Sequence, residues 1–122
     1  MLISAPVVFN DTGDSKLYTD VDNVLFNISA EPIRTANNSG HVSVKITANE
    51  SVNKTFKLKF KNSTVSTIKL DNNRTTTLLS DDFNIKSKTN KTLELTDNTT
   101  NENACNLTVL FENNEIINYN NL

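Results

Sequence analysis

The sequence predicts an all-β fold, a single antiparallel β-sandwich of about seven to nine short strands. Three observations predict it. Apolar residues recur at every second position through several segments of the 122-residue chain, as a strand with one buried face must read. Runs rich in Asn, Asp and Thr separate these segments at intervals of about ten to twelve residues, the spacing of sandwiches and small barrels rather than of βαβ units. Helix formers are scarce, with only five Ala, so any helix is expected to be a turn or two.

Taken in order, Ala5 to Phe9 is a short apolar run, followed by the polar stretch NDTGDSKLYTDVD. Residues 1–22 read as an N-terminal arm and 113–122 as a C-terminal tail. Chain ends order only when something holds them, so each is expected to pair into a sheet or dock on a neighbour. Val24, Phe26 and Ile28 mark the next strand. From His41 to Ala48, Val42, Val44, Ile46 and Ala48 share one face, with Ser43, Lys45 and Thr47 on the other. Lys54 to Lys61 repeats the pattern, Phe56, Leu58 and Phe60 against Lys57, Lys59 and Lys61. The intervening ANESVN is turn-like, so the two segments are expected to form a hairpin. The alternation slips by one position between Val65 and Ile68, which predicts a bulge or a strand that changes sheets. Further strands fall at Phe83 and Ile85, at Leu93 and Leu95, and at Leu107, Val109 and Phe111. ANNSG (36–40), DNNR (71–74), KTNK (88–91) and DNTTNEN (97–103) are the expected punctuation.

Length suits one domain, 1–122, that buries about two-thirds of its unfolded surface. Apolar residues make up 36%, with Asn, Thr and Ser in place of charge, and the net charge of -2 argues against sequence-independent phosphate binding. No nucleic-acid partner is expected. No run reaches bilayer length, and MLISAPVVFN lacks a positive n-region and is broken by Ser4 and Pro6, so neither a membrane span nor a signal peptide is read. Cys105 is the single cysteine, which excludes an intrachain disulfide and a thiolate metal cluster. The 21 Asn, ten Lys against two Arg, and eight Ile follow AT-rich codons.

Chemistry-bearing strings are few. Asp11-Thr12-Gly13 resembles the catalytic loop of aspartic proteases, in which twin Asp residues share a proton. Its flanks, Asn10 and Asp14, depart from that family's apolar and small residues, and Gly40 is the only other glycine, so a turn is expected instead. Asp11, Asp14, Asp20 and Asp22 miss the EF-hand spacing and read as a solvated loop, as do Asp81 and Asp82. His41 has no nucleophile beside it in sequence, and Cys105 reads as a small core residue. No catalytic residue, metal ligand or cofactor is expected. Lys57, Lys59 and Lys61, with Lys54 nearby, read as a solvated or edge-protecting face, or as a docking stripe for an acidic partner. Ten Asn-x-Ser/Thr sequons, at Asn10, Asn27, Asn37, Asn49, Asn53, Asn62, Asn73, Asn90, Asn98 and Asn106, exceed the four or five expected by chance (about 21 × 26/122). A solvent face built of Asn and Thr yields them automatically, because i and i+2 share a side of a strand.

A small sandwich with polar, weakly charged faces and end segments that act as arms resembles the immunoglobulin-like or jelly-roll-like decoration and auxiliary capsid proteins of tailed phages. The resemblance rests on architecture and composition over the whole chain. It implies a non-enzymatic module on the capsid surface that binds other virion structural proteins, chiefly the major capsid protein, and self-association is a further expectation. Val7, Val8 and Phe9, or Ile116, Ile117 and Tyr119, would anchor the arms by strand addition. The alternative is a cell-surface or carbohydrate-binding module outside the cell, which the absence of Trp disfavours. An aspartic-protease-like enzyme acting through Asp11 ranks third.

Overall fold

A computed structural model of the chain describes residues 2–4, 9–60, 66–85, 88–112 and 118–120. Within them the regular structure is entirely antiparallel strand: β1 (Leu2–Ser4), β2 (Asp14–Thr19), β3 (Leu25–Ala36), β4 (Ser39–Phe60), β5 (Ser66–Leu79), β6 (Phe83–Asn84), β7 (Lys88–Asp97), β8 (Glu102–Glu112) and β9 (Asn118–Asn120). Seven of these form one sheet in the order β2-β3-β4-β7-β8, with β5 and β6 also paired to β4, while β1 and β9 pair with each other.

The 22-residue β4 organises the sheet. Its first part pairs with β3 from Phe26↔Ala48 to Ala36↔Ser39, its last part pairs with β7 from Phe56↔Asp97 to Phe60↔Leu93, and β5 runs beside both. The expected hairpin at 48–53 is therefore one continuous bent strand. Asn49, Glu50 and Ser51 are consecutively exposed, and the register with β5 shifts between Thr47 and Val52 and again before Lys54. These bulges absorb extra residues without reversing the chain and increase the local bend. On β5 the irregularity includes Asn72 at φ 54°, a left-handed conformation that Asn tolerates, and its N–H donates to Asn53 Oδ1 at 2.7 Å. Inward positions stay even-numbered on both sides of the bend, from Val42 to Phe60.

The same geometry corrects three other expectations. DNNR and KTNK lie inside β5 and β7 rather than between strands. Pairing over Ser66–Leu70 is unbroken and the register shifts fall at 71–73, so the irregularity expected at 65–68 is not found over Ser66–Ile68; Val65 lies outside the described residues. Asp14–Thr19, assigned to an arm, is a strand of the main sheet, paired from Asp14↔Ala30 to Thr19↔Leu25. ANNSG and DNTTNEN do contain turns, at 37–38 and 98–101.

The sheet curls until β8 lies alongside β2. Thr12 and Leu110 exchange two backbone hydrogen bonds of 2.9 Å across this seam. Beyond that bridge, carboxylates replace ladder partners: Thr108 N–H donates to Asp14 Oδ2 (3.1 Å) and Glu112 N–H to Asp11 Oδ1 (2.9 Å). The outcome is a nearly closed barrel around one core, whose largest buried side chains include Phe26, Phe56, Phe111, Ile28, Leu58 and Leu95.

Gly13 packs tightly against the backbone of β3. A Cβ there would sit 2.5 Å from the Ala30 carbonyl oxygen, a backbone atom that no rotamer change can move. Gly13→Ala should destabilise the domain by about 1–3 kcal/mol, read as a lower urea midpoint. An unchanged midpoint would show that the segment yields freely.

Candidate functional site

A buried polar cluster joins three strands at one end of the barrel. Asp20 follows β2, Lys54 occupies an inward position of β4, and Asp97 closes β7 opposite Phe56. Lys54 Nζ lies 3.0 Å from Asp20 Oδ2 and 2.8 Å from Asp97 Oδ2. The Tyr18 hydroxyl donates to Asp97 Oδ2 at 2.6 Å, and Thr99 N–H donates to Asp97 Oδ1 at 2.9 Å. Asp20 Oδ1 accepts the N–H groups of Asp22 and Val24, at 3.0 and 2.9 Å. Side-chain exposure is 5% for Lys54, 3% for Asp20 and 0% for Asp97. Tyr18, Phe26 and Phe56 pack against one another beside the cluster, with centroids 5.3–6.2 Å apart.

Burial acts against both charges, pushing Lys54 down and Asp97 up. For Lys54, hydrogen bonds to Asp97 and Asp20 and the charges of both outweigh burial and hold the amine above its usual range. For Asp97, hydrogen bonds from Lys54, Tyr18 and the Thr99 N–H outweigh it and hold the carboxyl below its usual range. Tyr18 is raised, first by burial and then by its bond to Asp97. The resting state is an ion pair with one additional carboxylate. Sequence reading had placed Lys54 with the lysine stripe and Asp20 in a solvated loop. The signal that pointed elsewhere was parity, since Lys54 shares the inward face with Phe56, Leu58 and Phe60 and so needed a charge partner.

The other flagged groups are tied into the framework. Asp11 accepts two bonds from Arg34, Nε to Oδ2 at 2.6 Å and Nη2 to Oδ1 at 2.9 Å, and Arg34 Nη1 donates to the Asn37 carbonyl. The guanidinium lies 3.8 Å over the Phe9 ring. The Asp-Thr-Gly segment thus fastens the start of the chain to the β3–β4 turn and β8. His41 Nδ1 meets Asp82 Oδ1 at 2.8 Å. The nearby Ser80 hydroxyl accepts from Val42 N–H and donates to the Asp81 carbonyl, so its proton points at backbone rather than at an imidazole. Burial, then the Asp14 charge, pushes the Cys105 thiol up to about 11, with Lys16 opposing, which leaves it unreactive at neutral pH. No group of three His, Cys, Asp or Glu side chains suits a metal among the described residues.

Lys57 and Lys59 are exposed; β4 has both β5 and β7 beside it at Lys57, so Lys57 does not guard an edge. Lys59 stands opposite Glu94 on β7, and Lys54 points to the other face. Phe9 packs under Arg34, and Tyr119 pairs with Ile3 in the β1–β9 ladder. Val7, Val8, Lys61, Ile116 and Ile117 lie outside the described residues.

Two surface features were not anticipated. Leu17, Val21 and Leu25 are 69, 63 and 40% exposed around the β2–β3 turn, with Leu17 and Leu25 on the same outward face by the strand register. Beside β5 opens a cleft of about 360 Å³, with Leu58, Phe60, Leu78 and Phe83 inside and Asp81 and Asp82 at the rim. Lys91 Nζ lies 4.4 Å over the Phe83 ring.

No protein-family model, curated protein or solved structure matches the chain.

Proposed function

We propose that this protein is a non-enzymatic structural module, an auxiliary or decoration protein that binds the major capsid protein and its neighbours on a virion surface. The observation that carries the reading is the division of labour among side chains. Asp11, Asp14, Asp20, Lys54 and Asp97 are engaged in joining strands. Leu17, Val21 and Leu25 stand exposed together among the Ser, Thr and Asn of the outer face. Clustered exposed apolar residues with a polar surround are the composition of a partner-binding patch. The nearly closed barrel is read as a sandwich, immunoglobulin-like or jelly-roll-like in layering. Its support is the long bent β4, shared between two pairing environments, and the approach of β8 to both β2 and β3.

The Leu17→Asp/Leu25→Asp double variant should keep its unfolding midpoint within about 0.5 kcal/mol, as surface changes usually do. It should lose more than about tenfold in co-sedimentation with particles, since a buried interfacial charge costs several kcal/mol. Binding equal to the parent protein would remove this patch from the interface.

A cell-surface module is the second reading, favoured by the exposure of all nine described sequon asparagines. Glycan-sized increments on the intact mass of protein from its native source would favour it over the virion reading.

A further inference from the structure

We propose that Lys54 and Asp97 condense into an intramolecular isopeptide bond, with Asp20 as the proton carrier. The reacting groups are already in contact: Nζ is hydrogen-bonded to Oδ2 at 2.8 Å, which holds the amine beside the Asp97 carboxyl whose carbon it must reach. Both are sealed from water among Tyr18, Phe26 and Phe56, so hydrolysis has no ready reactant and the released water has no reason to remain.

The protons balance within the cluster. The Lys54 ammonium first passes one proton to Asp97 Oδ2 along their hydrogen bond, giving an amine and a carboxylic acid. The net effect of the surroundings favours the ion pair, so this transfer is an uphill step, and the absence of solvent lowers its cost. The amine then attacks Asp97 Cγ, and Asp20 Oδ2, 3.0 Å from Nζ, accepts the second ammonium proton. Charge developing on Asp97 Oδ1 meets the Thr99 N–H at 2.9 Å, a donor already aimed at it. Asp20 returns its proton to the Oδ2 hydroxyl, to which Tyr18 donates, the Cγ–Oδ2 bond breaks, and water departs. The third proton stays on the amide nitrogen. Nothing is oxidised or reduced, and Asp20 ends as a carboxylate.

The additional carboxylate is what distinguishes this site from a plain buried ion pair. Neutralising Lys54 needs one Asp, and a second leaves a net negative charge in the interior, an arrangement that costs stability unless it serves another purpose. Asp20 is moreover held by two backbone N–H bonds on Oδ1, which aims Oδ2 at the amine. After condensation the amide N–H can donate to Asp20 and the amide oxygen keeps the Thr99 N–H, while the Tyr18 hydroxyl, which donated to the departing Oδ2, must turn to a new acceptor.

Intact-mass measurement of the folded full chain tests this directly. The expected value is one water, about 18 Da, below the sequence mass, with digestion yielding a branched peptide that joins the Lys54 and Asp97 segments. Lys54→Arg and Asp20→Asn should both return the full mass, and Asp97→Asn should reach the same linked product by losing ammonia in place of water. Full mass in the folded parent protein after prolonged incubation overturns the proposal, whether or not the variants fold. So does a water loss that maps to other residues or that persists in Lys54→Arg.

Discussion

Replacing Lys54 with Met should destabilise the domain by about 3–5 kcal/mol at pH 7, because it strips the cation from two buried carboxylates while roughly preserving volume. A covalent link to Asp97 would enlarge the loss. The pH dependence follows from the direction of each shift. In the unlinked parent, Asp97 is held below its ordinary 3.8, so its contribution is present above that value and fades as pH falls through the lower folded value. Lys54 is held above its ordinary 10.5, so its contribution is complete below that value and is lost only as pH rises through the higher folded value. Between these limits the cluster is intact. In Lys54→Met, Asp97 loses the partner that holds its carboxyl low and its pKa rises, so the variant should recover part of its deficit as pH falls from 7 toward 4. Urea unfolding at the two pH values measures this. A loss below about 1 kcal/mol with no pH dependence would mean that the cluster is solvated in solution.

Phe56→Ala should cost a similar amount, about 3–5 kcal/mol, by a different mechanism. Phe56 is fully buried and stands edge-on to both Phe26 (5.3 Å, 85°) and Tyr18 (6.1 Å, 76°). Its removal opens a cavity where the core meets the polar cluster, and the two edge-to-face contacts go with it. The remaining walls are strands fixed by their ladders, so the site cannot collapse. The urea midpoint should fall, and water admitted beside Asp97 should raise the rate of exchange at the Thr99 amide. A shift no larger than that of a surface substitution would contradict the core as described.

Much of the fold was legible because most strands have one buried face. Val42, Val44, Ile46, Phe56, Leu58 and Phe60 alternate in sequence and are all buried. The link between them was not legible. Asn49, Glu50 and Ser51 are polar and consecutive, and a bulge and a reversal look alike locally, since both expose several residues in a row. Only the pairing of β5 with both halves of β4 distinguishes them. The cluster was hidden for a related reason. Lys54 and Asp20 are 34 residues apart and Tyr18 and Asp97 79, so nothing short of the topology brings them together. The parity of Lys54 was the one clue, and grouping it with Lys57 and Lys59 obscured it. Asp11-Thr12-Gly13, expected as a turn, is an extended segment bridged to β8 through Thr12, and its partner Arg34, 23 residues away, had no sequence signature.

These contacts describe a small barrel in which Asp20, Lys54 and Asp97 are buried as fasteners between strands, and Asp11 and Asp14 fasten the β2–β8 seam. On the proposed reading, a partner would meet the apolar residues at the β2–β3 turn, the Ser, Thr and Asn of the outer sheet, and the cleft beside β5. A decoration protein needs such a combination, because it must hold its own shape while exposed and act through contact area rather than through a reacting group.

The most direct test of that role is quantitative mass spectrometry of gradient-purified virus particles from the source that encodes the chain. The virion reading predicts the protein in the particle fraction at a constant ratio to the major capsid protein. Its absence from particles, with the protein recovered instead from the soluble or cell-surface fraction, would contradict it.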